Sequence, residues 1–243
     1  MRNIFLLFIS LFFLQGCFFK NDPLISALNE DEFTRKFVKD KEKYEIQILY
    51  TEVSKNTLGQ TEFTDFQFQL NDQKYFYPAS TIKLPITVMA LSKINELRAG
   101  GSNISLKSKI KLSLINDRKE IIIKDSITSF QNLIADVFLV SDNSASNVLI
   151  DFLGYNYFNL SMRNSGYENT YLNHEFNPDP FIDSTWIIST LDNDIISSKE
   201  NKITVLASSN ISNLKKGKKR FIDGEIINEP LDFSSKNRSS LTD

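Results

Sequence analysis

The sequence predicts a mixed fold of the α/β (α+β) class, with a β-hairpin of an antiparallel sheet followed by a helical block. Three observations carry that expectation. Residues 44–53 (YEIQILYTEV) and 63–77 (FTDFQFQLNDQKYFY) alternate apolar and polar positions and are rich in aromatics, the period-two pattern of half-buried strands. Residues 80–98 carry a helical apolar pattern until Gly100 and Gly101 stop the run. Residues 105–165 read mostly as further helices divided by polar turns.

The first element is not part of the fold. Arg2 precedes an apolar run, residues 4–14 (IFLLFISLFFL), that is too short to span a bilayer comfortably and reads as a secretory signal. The run ends in LQGC, which resembles the lipobox of bacterial lipoproteins, although Gln15 stands where a small residue is more usual. That resemblance implies a signal peptide over residues 1–16, lipidation of Cys17 as the mature N-terminus and a tether over 17–23. Several acyl chains anchor stably where one binds only marginally. The expected location is therefore the bacterial cell envelope, on its periplasmic or cell-surface side. The alternative is a buried cysteine ending an ordinary signal or anchor helix. Cys17 is the only cysteine, so no intrachain disulfide can form.

Residues 24–44 (LISALNEDEFTRKFVKDKEKY) place Leu24, Ile25, Leu28, Phe33 and Phe37 at roughly helical spacing, predicting one amphipathic helix. Asn56 and Gly59 lie between the two strand patterns, which makes an antiparallel pair the expected arrangement. The chain beyond residue 196 is polar, and KKGKKR at 215–220 reads as a solvated turn able to meet an anion. With 243 residues and 41% hydrophobic content there is enough apolar material for one sizeable domain or two small ones. A net charge of −2 supplies no basic field, which excludes a nucleic-acid partner recruited by charge.

The candidate chemistry starts at Ser80 and Lys83. Three residues apart at a helix start, they lie on one face one turn from each other, so the amine can reach the hydroxyl. A lysine with a depressed pKa can take the proton of a serine nucleophile, and a helix N-terminus favours a developing oxyanion. The competing reading is a serine helix cap followed by a surface charge. The spacing alone is weak evidence, because it recurs at Ser108/Lys111 and Ser212/Lys215. A second feature occurs once: Ser141, Asp142 and Asn143 interrupt two helical segments within FLVSDNSASNVLIDFLG. On a tight interhelical turn such a serine can relay a proton and the amide can grip a substrate, with the aspartate tying down the turn. Its bland counterpart is a turn with a helix cap.

Taken together, the two motifs resemble serine β-lactamases of the class A type and their penicillin-binding relatives, which carry S-x-x-K, S-D-N and K-T-G. Ser80 and Ser141 are 61 positions apart, close to the roughly sixty of that family. The resemblance covers roughly residues 24–170 and implies a β-lactamase/transpeptidase-like domain over 24–243. It implies Ser80 as nucleophile, Lys83 as its base, Ser141 as proton relay and Asn143 as a substrate-binding amide. It implies no metal or organic cofactor, and as partner a small-molecule β-lactam or a peptidoglycan peptide, with the protein a monomer. Three activities follow as candidates: opening of β-lactam rings through an acyl-serine, a D-Ala-D-Ala peptidase or transpeptidase, and a non-catalytic surface lipoprotein.

Two family features depart. No Lys-Thr-Gly or Lys-Ser-Gly occurs, so the expected domain lacks the C-terminal strands that carry it and is incomplete as given. The water-activating glutamate of the family, about 36 residues past the S-D-N serine, points near Asn177. Glu175 is the nearest candidate base and Glu168 the next. His174, the only histidine, has no cysteine or carboxylate cluster around it to suggest a metal.

Overall fold

A computed structural model describes residues 22–71, 74–116, 118, 120–176, 184–196, 215–216, 220–222, 225–227, 231–232 and 236–239. Cys17, the expected signal peptide and Asn177 lie outside the described residues. The chain forms two compact units that divide between Asn71 and Asp72.

The first unit holds α1 (Pro23–Glu30), α2 (Glu32–Lys39), β1 (Ile48–Lys55) and β2 (Thr61–Phe68). The single helix expected over 24–44 is thus two. Asp31 has extended backbone between them and accepts the Thr34 N–H at 2.8 Å, so a capping side chain starts a second helix where the first ends. Asp22 caps α1 in the same way. The two strands pair antiparallel, Ile48 opposite Phe68 and Lys55 opposite Thr61. Both are shorter than their sequence patterns. The turn between them is organised by Asn56, whose Oδ1 accepts from Leu58 and Gln60 N–H, each at 3.0 Å.

The second unit opens with a 3-10 turn, Ala79–Ile82, that runs into α3 (Lys83–Ala99). The block expected to be mostly helical then begins with a hairpin, β3 (Lys109–Asn116) and β4 (Ile121–Ser129). KIKLSLIN buries alternate residues Ile110 and Leu112, and β4 opens on three isoleucines, whose branched side chains favour the strand. Local alternation prevails there over the helical reading. Helices follow as expected: α4 (Phe130–Val140), α5 (Asn143–Leu153) and α6 (Tyr155–Asn164). A third strand, β5 (Ser184–Thr190), pairs antiparallel with β3, giving the order β4-β3-β5. The short pairs β6 (Lys215–Lys216) with β9 (Leu231–Asp232), and β7 (Arg220–Ile222) with β8 (Glu225–Ile227), are also antiparallel.

The core of this unit is built around α5, which is buried on nearly every side, residues 148–153 without exception. Helices α3, α4 and α6 and strand β5 all pack against it. Two buried polar residues fix its position. The Lys93 amine on α3 donates to the carbonyls of Phe152 at 2.6 Å and Leu153 at 3.2 Å, capping the C-terminal end of α5 with a cation. Asp151, fully buried, accepts the Trp186 N–H of β5 at 2.6 Å. Residues 236–239 are laced into the same unit: Arg238 bridges Tyr171, Ser239 bridges Phe76, and the Tyr75 hydroxyl donates to the Asn237 carbonyl at 2.9 Å. Among the described residues, no helix is long and apolar enough to cross a membrane.

Candidate active site

The turn that carries Ser80 is held from both sides. Thr81 donates to the Pro78 carbonyl through its backbone N–H at 2.9 Å and through its hydroxyl at 2.6 Å. Ala79, immediately before Ser80, has φ +46°, a left-handed conformation that costs a residue with a Cβ about 1–2 kcal/mol. Ser80 is exposed within the 3-10 turn, and the helix-cap reading does not hold. Pro78 flanks the turn and Ile82 flanks α3, neither with a side-chain cap, so Ser80 precedes the helix without closing its first turn. Ser80 lies three residues before Lys83, exposed where Lys83 is buried. Pro85 falls in the first turn of α3, where an N–H would have no helical partner, and the helix continues through Ala99.

Lys83 points inward and keeps only 3% of its surface. Its amine lies 3.1 Å from Ser141 Oγ and 2.7 Å from Asn143 Oδ1, and also donates to the Ser141 carbonyl. Burial pushes this amine below its ordinary pKa of 10.5, opposed in part by the carboxylate of Asp142.

The turn that meets Lys83 is as tightly specified. Ser141 ends α4 in the left-handed conformation, φ +55°, and the Asp142 N–H returns to the Asp136 carbonyl at 3.2 Å. Asp142 then caps α5, accepting the Ala145 N–H at 2.6 Å, while the Ser146 hydroxyl donates to the Asp142 carbonyl at 2.6 Å. With both helix ends pinned, the two-residue link aims Ser141 and Asn143 at one amine.

A third element comes from the segment after α6. The Phe176 ring centre lies 4.7 Å from the Lys83 amine, within cation–π range. Its backbone is clamped by Asn147 of α5, which accepts the Phe176 N–H and donates to the Phe176 carbonyl, both at 2.9 Å. Asn159 holds Leu172 with the same two-bond pattern, at 2.8 and 3.0 Å. Asn237 accepts from the Asn173 and His174 N–H groups at 2.7 and 3.1 Å. Three asparagine amides therefore fix residues 172–176, a stretch without regular structure whose backbone groups need such partners.

Of the site residues expected from sequence, Lys83, Ser141 and Asn143 converge, and Ser80 stands on the turn leading into Lys83. Glu175 is half-buried beside Phe176, and Glu168 is exposed in the turn after α6. His174 is half-buried with its Nδ1 2.6 Å from the Glu175 carbonyl. Among the described residues no group of three His, Cys, Asp or Glu could hold a metal ion. Phe176 and its clamp Asn147 were not legible as site residues. The one available signal is that Asn143 and Asn147 are one helical turn apart on α5, which places both amides on the same face.

No curated protein matches the chain. Among solved structures the chain is similar to the crystal structure of a beta-lactamase from Sphaerobacter thermophilus DSM 20745, at 21% identity and a TM-score of 0.38. That similarity covers 65% of this chain and 57% of the other, so the chain spans little more than half the length of that relative. The profile described as the beta-lactamase enzyme family matches residues 32–216, well over half of the chain and inclusive of Ser80, Lys83 and the Ser141–Asn143 turn. On that match, the chain belongs to the beta-lactamase enzyme family.

Proposed function

We propose that the protein is a serine acyl-transfer enzyme of the class A β-lactamase type, in which Ser80 opens a β-lactam ring and becomes acylated. The observation that carries this reading is the Lys83 amine, buried one turn from Ser80 and held on Ser141 Oγ and Asn143 Oδ1. A lysine whose amine is destabilised as a cation is a competent base at a pH where an exposed lysine is not.

In this reading the neutral Lys83 amine accepts the Ser80 hydroxyl proton as Oγ attacks the ring carbonyl. The Ser80 N–H supports the developing oxyanion. The ring C–N bond breaks, and Ser141 Oγ delivers a proton to the departing nitrogen while taking one back from Lys83. Asn143 turns its Oδ1 to Lys83, which leaves the NH2 end as the donor for a substrate side-chain carbonyl. The protein acts outside the cytoplasm, held at the membrane by lipid on Cys17.

The test is covalent labelling of the full chain with a fluorescent penicillin, read by intact mass and peptide mapping. One penicilloyl group on Ser80, absent from Ser80→Ala, is the expected result. Unlabelled protein that still binds the penicillin reversibly, equally in Ser80→Ala, would make it a non-catalytic lipoprotein of this fold. A second reading is a D-Ala-D-Ala peptidase or transpeptidase, favoured by Asn177 standing where the family's water-activating glutamate is expected. Release of D-alanine from an acyl-D-Ala-D-Ala peptide distinguishes it.

A further inference from the structure

We propose that a cavity behind the Ser80 turn is a second ligand site, one that takes an uncharged and largely apolar small molecule. It lies within the second unit, between the start of α3, the end of α6 and the segments around Phe76 and Ser239, and its volume is about 420 Å³. Small-molecule pockets usually run from roughly 300 to 1,000 Å³. The site is independent of the acyl-serine reading.

The cavity is separate from the cluster around the lysine amine. Leu84 and Val88 line it from α3, one turn apart on the side of the helix turned away from Lys83, whose amine goes to Ser141 and Asn143. Thr81, the residue after Ser80, also lines it, so an occupant touches the turn that carries the serine.

Its walls are held before any ligand arrives. Ile82, Met89 and Met162 form a buried floor. On one side the Ser239 N–H donates to the Phe76 carbonyl at 3.1 Å, and the Thr170 and Ser239 hydroxyls lie 3.1 Å apart. The rim is bare by comparison: Phe76, Leu84, Val88 and Tyr167 remain between 39% and 57% exposed. A single exposed apolar side chain is ordinary, but four around one cavity make a patch whose cover by a ligand is favourable.

The lining sets the class of ligand. No Asp, Glu, Lys, Arg or His lines the cavity, so a charged molecule would lose its hydration there without a counter-charge. The polar groups are hydroxyls, and that of Thr81 already donates to the Pro78 carbonyl at 2.6 Å. Met89 and Met162 give a polarizable surface that adapts to an aromatic or aliphatic body.

The experiment titrates the full chain with the neutral fluorophore N-phenylnaphthylamine and, in parallel, with anilinonaphthalene sulfonate, which has the same ring body plus a charge. The expected result is saturable binding of one neutral probe per chain, with the sulfonate at least about 10-fold weaker. Leu84→Trp fills the cavity and Val88→Glu sets a carboxylate in it, and each should weaken the neutral probe at least about 10-fold. Both side chains are on the exposed rim, so the fold should tolerate either change, and circular-dichroism melts matching wild type check this. Leu139→Glu alters a different exposed apolar residue, two before Ser141, and should leave binding unchanged. Absence of saturable binding to the wild type would overturn the proposal. Binding that survives both Leu84→Trp and Val88→Glu, or that is lost in Leu139→Glu, would overturn the location. A sulfonate that binds as tightly as the neutral probe would overturn the ligand class.

Discussion

The side-chain oxygen of Asn143 lies 2.7 Å from the amine of Lys83, sixty positions earlier in the chain. Two helix starts meet at that contact. The first turn of α3 supplies the amine and the first turn of α5 supplies the amide oxygen, so the geometry depends on how two buried helices pack.

Lys83→Met tests the amine as base. Methionine keeps the length and apolar stem of lysine while removing the proton acceptor, and labelling of Ser80 should slow by about 100- to 10,000-fold. In the wild type, acylation should rise with pH as the amine loses its proton, with a midpoint below 10.5 because burial lowers the lysine. Asp142→Asn keeps a good helix cap and removes the carboxylate that opposes this shift, so its midpoint should fall further. Labelling rates measured across pH check both; a midpoint unmoved in Asp142→Asn would contradict the assigned cause.

Ser141→Gly separates the hydroxyl from the turn. At φ +55° glycine is at least as well suited as serine, so urea unfolding should stay within about 1 kcal/mol of wild type. Acylation should drop sharply, since the oxygen 3.1 Å from Lys83 is lost. A parallel loss of stability and activity would mean that the side chain serves the fold.

His174 makes stability depend on acid. Burial holds its pKa below 6.5, against the partly opposing contact with the Glu175 carbonyl, while the Lys236 charge lowers it further. The folded state therefore binds fewer protons than the unfolded state just below pH 6.5. The contribution is fully present above the unfolded pKa and is lost as pH falls from there through the folded value. Urea midpoints taken between about pH 8 and pH 5 should decline at the acid end, and His174→Gln should flatten that decline. Identical slopes in the two proteins would show that other groups cause it.

Much of the local structure was legible from the sequence. The alternation in residues 44–53 and 63–77 marks a hairpin that β1 and β2 form, because side-chain period is a local property of the backbone. Asp142 behaves as the short polar residue its position suggests, and Ser141–Asn143 does divide two helices. The pattern misled where two periods compete. KIKLSLIN satisfies a strand, yet its setting among helical segments suggested more helix, and only pairing with β4 and β5 decides between them. Asp31 divides a helix that apolar spacing alone runs together.

What the sequence by itself determined is the inventory: a serine and a lysine one turn apart, a Ser-Asp-Asn turn 61 positions later, and the family to which that pair of motifs belongs. What only the tertiary structure decided is what stands beside the lysine. Phe176 carries no signature of chemistry, and the clamp that holds it joins residues 29 positions apart. Motif spacing records constraints along the chain. The ring over Lys83 follows from the burial of α5 and from asparagine amides satisfying an irregular segment, and such packing relations exist only once the chain has closed on itself.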